Sequence, residues 1–66
     1  MTVRVNGRVE EVGERETLAG LLERLGVGSP YALVERNGAP VERSRYAETE
    51  LADGDSLVVA RPVAGG

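Results

Sequence analysis

The sequence predicts an α+β fold in which one helix packs on one face of a mixed sheet of four to five strands. Asn-Gly pairs at 6–7 and 37–38 are typical of tight turns between short strands. Segment 17–26 carries leucines at helical spacing, and the apolar run 57–59 predicts a strand at the centre of the sheet. A helix of about two turns, or ~12 Å, does not persist alone, so a sheet must cover its leucines.

The first Asn-Gly turn predicts a hairpin whose second strand spans 8–12. A strict two-residue turn would pair Val9 with Arg4 and place Val9 on the face opposite the valines of the first strand. A three-residue loop ending at Gly7, left-handed in a bulge, pairs Val9 with Val3 and keeps both on one face. We prefer the three-residue loop because it buries Val9.

The helical segment has a clear beginning and end. Thr17 is a favourable N-cap, Gly26 is a stop, and the four leucines between them recur at i, i+3, i+4 and i+7. A leucine stripe can also grip a partner helix, but we interpret this one as core. Gly20 in the third helical position costs about 1 kcal/mol relative to Ala. Close packing of the helix on a strand would explain it.

The rest of the chain predicts three strands and one loop. They are the strands 31–36, 39–41 and 56–60 and the loop 43–50 with about one helical turn, separated by breaks at 28–30, 37–38 and 53–55. Pro40 confines its strand to an edge or an end of the sheet. The apolar run of the last strand suggests burial on both faces. With the first and last strands as parallel central neighbours, this order describes the β-grasp, or ubiquitin-like, architecture.

The composition limits the function. The 66 residues form a single domain that buries only about 60% of the surface exposed by its unfolded chain, which leaves no room for a deep active site. All the basic residues are Arg, and the chain has no His or Cys. The usual general base, the strongest nucleophile and thiolate metal ligands are therefore missing. We expect neither an enzyme nor a metal site.

Charge and hydropathy narrow the choice of partners. The net charge is −3 and the arginines are scattered along the chain, which argues against nucleic acid. No stretch approaches the ~20 apolar residues of a membrane span, and the first residues do not look like an export signal. We expect a cytoplasmic protein that has no membrane partner.

The strongest functional signal is the ending Ala64-Gly65-Gly66. Two glycines have no side chains to obstruct a narrow channel, so the carboxylate of Gly66 can be threaded into the active site of another protein. The alternative is a frayed terminus, since chain ends tolerate small residues. We favour function. We also expect 62–66 to be a flexible tail, because its Gly and Ala residues offer little apolar area to offset the entropy of ordering.

Motifs along the whole chain point to one known family. They are Val-Asn-Gly at 5–7, Thr17 with the four leucines, Asn37-Gly38, Val-Glu-Arg-Ser at 41–44 with Tyr46 and Thr49, Leu-Ala-Asp-Gly-Asp at 51–55 and Val-Ala-Gly-Gly at 63–66. Together they resemble the ThiS family, the sulfur carriers of thiamine biosynthesis. Two features depart from its pattern. Tyr46 stands where this family often has Trp, and Arg-Pro-Val at 61–63 is similar to the related molybdopterin carrier, MoaD.

The resemblance implies a cycle of reactions at Gly66. A ThiF-like adenylating enzyme, of the ubiquitin-activating type, would use ATP and its own metal ion to convert the carboxylate into an acyl adenylate. Sulfur from a persulfide or sulfide donor would displace AMP, and the resulting thiocarboxylate would give its sulfur to a ThiG-like thiazole synthase. Gly65, Ala64 and Val63 would thread the tail into the partner. This chain itself would bind no cofactor.

Two other functions remain open at this point. A sulfur carrier of another pathway, such as molybdopterin or cysteine synthesis, fits the Arg-Pro-Val stretch. A ubiquitin-like modifier or interaction module would need no sulfur chemistry. The absence of Lys argues against a modifier that polymerises on itself.

Several side chains are further site candidates. Arg43, Tyr46 and Arg61 are candidates for partner docking. For Tyr46 we favour another interpretation, in which the ring caps the core and the hydroxyl stays in water. Asp53 and Asp55 flank a single Gly without the spacing of a calcium-binding loop, so we interpret them as part of a turn.

Overall fold

The computed structural model describes residues 1–27 and 31–60. Its elements are β1 (Thr2–Val5), β2 (Arg8–Glu11), α1 (Leu18–Arg24), β3 (Leu33–Arg36), β4 (Ala39–Val41), a 3-10 helix (Arg43–Arg45) and β5 (Ser56–Ala60). The five strands form one sheet in the order β2-β1-β5-β3-β4. β1 and β5 are parallel, whereas the other neighbours are antiparallel. The predicted mixed sheet is confirmed, with β5 at its centre and β4 at an edge.

The leucine stripe of α1 packs on one face of this sheet. Leu18, Leu21 and Leu22 are buried, and Leu25 packs at the margin of the core. The other buried members of the core are Val3, Val5, Val12, Val34, Tyr46, Leu51 and Leu57. The prediction that the leucines form core is therefore confirmed.

Backbone carbonyl groups of loop 43–50 cap the N-terminus of α1. The N–H groups of the first helical turn have no partner within the helix. Here Leu18 N–H donates to the Thr49 carbonyl at 2.8 Å, and Ala19 N–H donates to the Tyr46 carbonyl at 3.0 Å. The predicted loop with one helical turn is confirmed, and its carbonyls fix the helix to the second half of the chain.

Gly20 supports the helix cap instead of packing on a strand. Its N–H donates to the Thr17 hydroxyl at 3.1 Å. A Cβ added to Gly20 would lie 3.3 Å from that hydroxyl oxygen, with no strand atom within 4 Å. The expectation of a close approach to a strand was wrong. A glycine at this position leaves room for the capping side chain.

The first hairpin has the two-residue turn, so the preferred three-residue loop was wrong. Val5 pairs with Arg8, and Val9 pairs with Arg4. Asn6 and Gly7 have positive φ of 52° and 85°, as a type I′ turn requires. This turn matches the twist of the strands without a bulge. Its consequence is that Val9 is 57% exposed on the face away from α1.

The last strand is central but buried on one face only. Leu57 is buried under α1, whereas Val58 is 51% exposed. The expected burial on both faces was wrong because the single α-helix of the described residues covers one side of the sheet. β3 is also shorter than predicted, since it begins at Leu33.

Candidate functional site

The residues predicted to carry the chemistry lie outside the described residues. They are Gly66, the threading residues Gly65, Ala64 and Val63, and the docking candidate Arg61. The structure does describe β5, the strand that precedes them in the chain. The way in which β5 is held, and the surface beside it, define the candidate site.

The start of β5 is held by the second Asn-Gly turn. Asn37 Oδ1 accepts the Ser56 N–H at 2.9 Å, and the Asn37 N–H donates to the Ser56 carbonyl at 2.7 Å. Asn37 and Gly38 have positive φ of 53° and 85°, so the predicted turn is confirmed. Its side chain and backbone both anchor the first residue of the strand.

Asp55 ties this turn to the loop before β5. The side chain is buried, and its Oδ2 accepts the Arg36 Nε–H and the Ala52 N–H at 2.9 and 2.8 Å. Oδ1 accepts from Asn37 Nδ2 at 3.0 Å. Burial acts to raise the pKa of Asp55, but these hydrogen bonds and the Arg36 charge outweigh it, and the pKa lies below its usual value. The predicted turn at 53–55 is confirmed, with Asp55 as its buried anchor.

The end of β5 is held by the first Asn-Gly turn. Asn6 Oδ1 accepts the Val59 N–H at 2.8 Å, and Asn6 Nδ2 donates to the Val59 carbonyl at 3.1 Å. The two Asn-Gly turns therefore hold opposite ends of the same strand. Sequence reasoning interpreted both as turns alone and missed these side-chain contacts.

The sheet face away from α1 presents exposed apolar side chains next to the end of β5. Val58 is 51% exposed and Leu33 of the neighbouring strand is 59% exposed. A shallow depression of about 280 Å³ on this face is lined in part by Leu33, Pro40, Val58 and Ala60. We call these four residues the open-face patch. An exposed apolar patch at the surface of a small domain is a candidate contact for a partner.

The two docking candidates within the described residues have different environments. Arg43 is exposed at the start of the 3-10 helix. Tyr46 is only 8% exposed, and its hydroxyl donates to the Ala32 carbonyl at 3.1 Å. The core-capping interpretation of Tyr46 is confirmed, but the expected wet hydroxyl was wrong. Its ring and hydroxyl are both engaged inside the protein, which leaves Arg43 as the accessible candidate of the two.

The acidic residues of the described ranges do not gather into a metal site. Within 1–27 and 31–60 there is no group of three or more Asp, Glu, His or Cys side chains that could hold an ion. Asp53 accepts the Thr2 N–H at 2.9 Å and so belongs to the turn. In the same part of the chain, no helix has the length and hydropathy needed to cross a membrane.

Comparison with known proteins identifies the family to which this chain belongs. The model of the ThiS family matches residues 3–66, which is nearly the whole chain. The chain belongs to the ThiS family. The match includes the two Asn-Gly turns, α1, β5 and the Gly-Gly ending, so the resemblance inferred from the motifs is confirmed.

Solved structures of related proteins share the fold. A crystal structure of the thiamine biosynthesis protein ThiS from Geobacter metallireducens is 33% identical to this ThiS-family chain, with a TM-score of 0.82 and full coverage of both chains. SAMP1 from Haloferax volcanii is 21% identical over 98% of this chain and 97% of its own, with a TM-score of 0.62. The second likeness concerns the fold alone and confirms the ubiquitin-like β-grasp architecture.

Curated relatives of this chain are much longer proteins. The thiazole synthase of Paramagnetospirillum magneticum is 36% identical over 66 residues, which are 100% of this chain and 20% of that protein. A second relative, from Magnetococcus marinus, also named thiazole synthase, matches at 35% identity with the same coverage. The ThiS-family chain therefore spans about a fifth of the length of the curated relatives that it matches.

Proposed function

We propose that this ThiS-family chain is a sulfur carrier whose cargo is bound at Gly66 and used to form the thiazole ring of thiamine. The observation that carries the proposal is the family match, which continues through the Gly-Gly ending to Gly66. The Geobacter metallireducens neighbour, a thiamine biosynthesis protein, supports the same pathway. The chain carries the sulfur and is itself a substrate of other enzymes, and the catalytic groups belong to those enzymes.

The chemistry begins with activation of the Gly66 carboxylate. A carboxylate is stabilised by resonance and resists nucleophiles. A ThiF-like adenylating enzyme transfers AMP from ATP to one carboxylate oxygen and releases pyrophosphate, with ATP and its metal ion bound by that enzyme. Sulfide then displaces AMP and leaves a thiocarboxylate. A persulfide donor gives the same product once a thiol has reduced the sulfur–sulfur bond.

The ending of the chain suits this role because it is slender. Gly65 and Gly66 have no side chains and Ala64 has only a methyl group. Val63 is the first branched residue before them. A channel that is only just wide enough for these residues is too narrow for the Asp and Glu side chains of the folded body. Activation is therefore confined to Gly66.

The folded body provides the surface by which a partner recognises the carrier. Six residues separate Ala60 from the end of the sequence, which extend at most about 22 Å. An enzyme whose active site holds Gly66 must therefore lie close to the end of β5. The open-face patch is next to that end, and we include it with Arg43 and Arg61 in the proposed docking surface.

Thiazole synthase is the proposed acceptor of the sulfur. Two relatives five times as long as this chain are named thiazole synthase, and one fifth of each matches the chain. Parts that occur together in one chain commonly act on each other. A carrier domain joined to thiazole synthase would deliver its sulfur at a high effective concentration. We propose that this chain also delivers its sulfur to a ThiG-like enzyme.

The test is sulfur loading in a defined mixture. Intact-protein mass spectrometry first checks that Gly66 is the terminal residue of the protein used. With ATP, the cognate adenylating enzyme and a sulfur source, the mass should then change by replacement of one oxygen with sulfur, and fragmentation should locate the change at Gly66. The chain lacking Gly66 is the control. It should melt like the full chain, since glycine has no side chain to pack, and it should not be loaded.

The outcomes separate the possible functions. Transfer of the sulfur to thiazole synthase, but not to a molybdopterin-forming partner, supports the thiamine pathway. The reverse result would assign the carrier to the other pathway. Normal loading of the chain without Gly66 would exclude Gly66 as the site of the cargo, and failure of the full chain to be loaded would exclude the carrier function.

A further inference from the structure

β5 continues beyond the last residue that pairs with β1. The parallel register pairs Arg4 with Ser56 and Val5 with Leu57, after which the chain turns away at Asn6-Gly7. On the opposite side, pairing with β3 continues as far as Ala60. Val59 therefore lies beyond the end of β1, where a backbone partner is lacking on one side.

The carboxamide of Asn6 takes the place of the missing backbone. It accepts the Val59 N–H and donates to the Val59 carbonyl. A primary amide offers the same donor and acceptor as a peptide group, so the side chain extends the pairing of β1 by one position. The Asn6 N–H also donates to the Leu57 carbonyl at 2.9 Å. Both the backbone and the side chain of Asn6 are thus bonded to β5.

We propose that Asn6 is a positioning residue for the reaction at Gly66. Gly66 lies seven residues after Val59, a distance of at most about 25 Å in an extended chain. By holding Val59, the carboxamide keeps β5 in place near its end and fixes the position of the residue from which the sequence continues toward Gly66. When a partner grips the body, this fixed point limits the positions that Gly66 can reach relative to the partner's active site. The inference rests on the proposed function.

Asn37 provides a matched comparison within the same chain. It has the same residue type, the same positive φ and the same type of turn as Asn6, and its side chain also bonds to the backbone of β5. Its side-chain contacts are with Ser56 at the start of the strand and with the Asp55 carboxylate just before it. Loss of the Asn37 side chain removes two hydrogen bonds, as loss of the Asn6 side chain does, but leaves the end of β5 held.

The experiment compares Asn6→Gly with Asn37→Gly. Glycine adopts positive φ readily, so both variants keep their turns. Single-turnover adenylation of Gly66 by the cognate adenylating enzyme gives a saturating rate and a half-saturating enzyme concentration for each variant. Exchange of the Val59 amide, measured by NMR, reports on the contact itself and does not depend on the enzyme.

We expect Asn6→Gly to lower the saturating rate by about tenfold, since misplacement of a reacting group has effects of this order or larger. The half-saturating concentration should change little, because the docking surface is intact. Val59 amide exchange should be faster in Asn6→Gly and unchanged in Asn37→Gly. Asn6→Asp keeps the acceptor for the Val59 N–H but loses the donor, so it should fall between wild type and Asn6→Gly.

Each result decides the inference. A rate for Asn6→Gly equal to that of wild type, or an equal loss in Asn37→Gly, would overturn it. All variants are compared below their melting temperatures, and if Asn6→Gly does not fold, Asn6→Asp replaces it. Failure of the wild-type chain to be adenylated would remove the proposed function and this inference with it. Normal wild-type adenylation with an unaffected Asn6 variant would remove the inference alone.

Discussion

Asp55 is the residue on which the entry into β5 depends. Its carboxylate joins three neighbours that are distant in sequence or lie across a turn: Arg36 of β3, Asn37 of the second Asn-Gly turn, and the backbone of Ala52. Hydrogen bonds to an ionised group contribute more than neutral ones. A single buried charge thus fixes the position at which the central strand begins.

Replacement of Asp55 by Asn should lower the free energy of unfolding by about 1.5 to 3 kcal/mol, the usual contribution of hydrogen bonds to a charged group. In a domain of this size, each kcal/mol corresponds to about 4–8 °C in the melting temperature. Thermal melts at pH 7 test this. Asp53→Asn, in the same turn, is the control and should melt close to wild type because the amide oxygen can still accept the Thr2 N–H.

The same carboxylate predicts a loss of stability in acid. The pKa of Asp55 is lower in the folded chain than its ordinary value, so the unfolded chain takes up the proton first as the pH falls. The stabilisation is present above the unfolded pKa of about 3.9 and disappears as the pH falls through the folded pKa. Asp55→Asn should therefore lose less stability than wild type between pH 7 and pH 3. An equal loss in both proteins would contradict this assignment.

Glu16 accounts for some of the acid sensitivity that should remain in that variant. Its Oε1 accepts the Gly13 N–H at 3.0 Å, and its Oε2 lies 3.0 Å from Arg24 Nη2. The Gly13 hydrogen bond, together with Arg24, lowers the pKa of Glu16 despite partial burial. Its contribution also disappears as the pH falls through its folded pKa.

Residue types indicated the turns but not the contacts that side chains make across the sheet. An Asn-Gly pair predicts a turn because both residues tolerate positive φ. Nothing in the pair indicates that Asn6 would reach Val59 or that Asn37 would reach Ser56, since these contacts depend on which strand lies alongside. Tyr46 is similar. Its ring was predicted to cap the core, but the Ala32 carbonyl that accepts its hydroxyl comes from another part of the chain.

At the scale of elements, α1 is short and depends on tertiary contacts. Its first N–H groups are bonded to Thr17 and to carbonyls of loop 43–50, and its leucines are in the core. A helix of this length receives most of its stability from packing. The leucine periodicity, the cap at Thr17 and the stop at Gly26 agreed, and together they were sufficient to predict the helix.

Truncation of a core leucine should leave much of the population unfolded at moderate temperature. Leu21 is fully buried, and Leu→Ala at such a position costs about 2 to 5 kcal/mol, against a total stability of roughly 3 to 10 kcal/mol for a domain of this size. Leu22→Ala should behave similarly. Leu25→Ala, at the margin of the core, should melt above both. If all three variants melt within a few degrees of wild type, the leucines do not hold the fold.

The hairpin of β1 and β2 shows why register was the weakest prediction. A three-residue loop is expected only if Val9 must be buried. In the fold Val9 lies on the uncovered face, where an exposed valine on a strand is unremarkable. The local preference of Asn-Gly for a two-residue turn decided the register. The assumption that Val9 must share the covered face with Val3 and Val5 therefore gave the wrong register.

At the scale of the whole molecule, the two faces of the sheet differ in use. One face is covered by α1 and forms the core. The other presents the open-face patch, and β5 belongs to both because Leu57 points to the core and Val58 points away from it. The order of elements predicted a helix over one face, so an uncovered face was implied. The apolar run 57–59 did not indicate the uncovered face, because a strand that is buried on both faces has the same composition.

A charge at the centre of the open face should weaken binding of the proposed adenylating enzyme without unfolding the protein. Val58→Lys places an ammonium group beside Glu35, its neighbour across the β3–β5 pair, so the substitution should be tolerated in the fold. In a complex the charge must lose its water or find a partner. We expect at least about a tenfold weaker complex with the adenylating enzyme, measured by titration calorimetry, and a melt near that of wild type. Glu23→Gln on the exposed surface of α1 changes the net charge by the same amount and should bind normally. Equal affinities for wild type and Val58→Lys would show that the enzyme grips the carrier elsewhere.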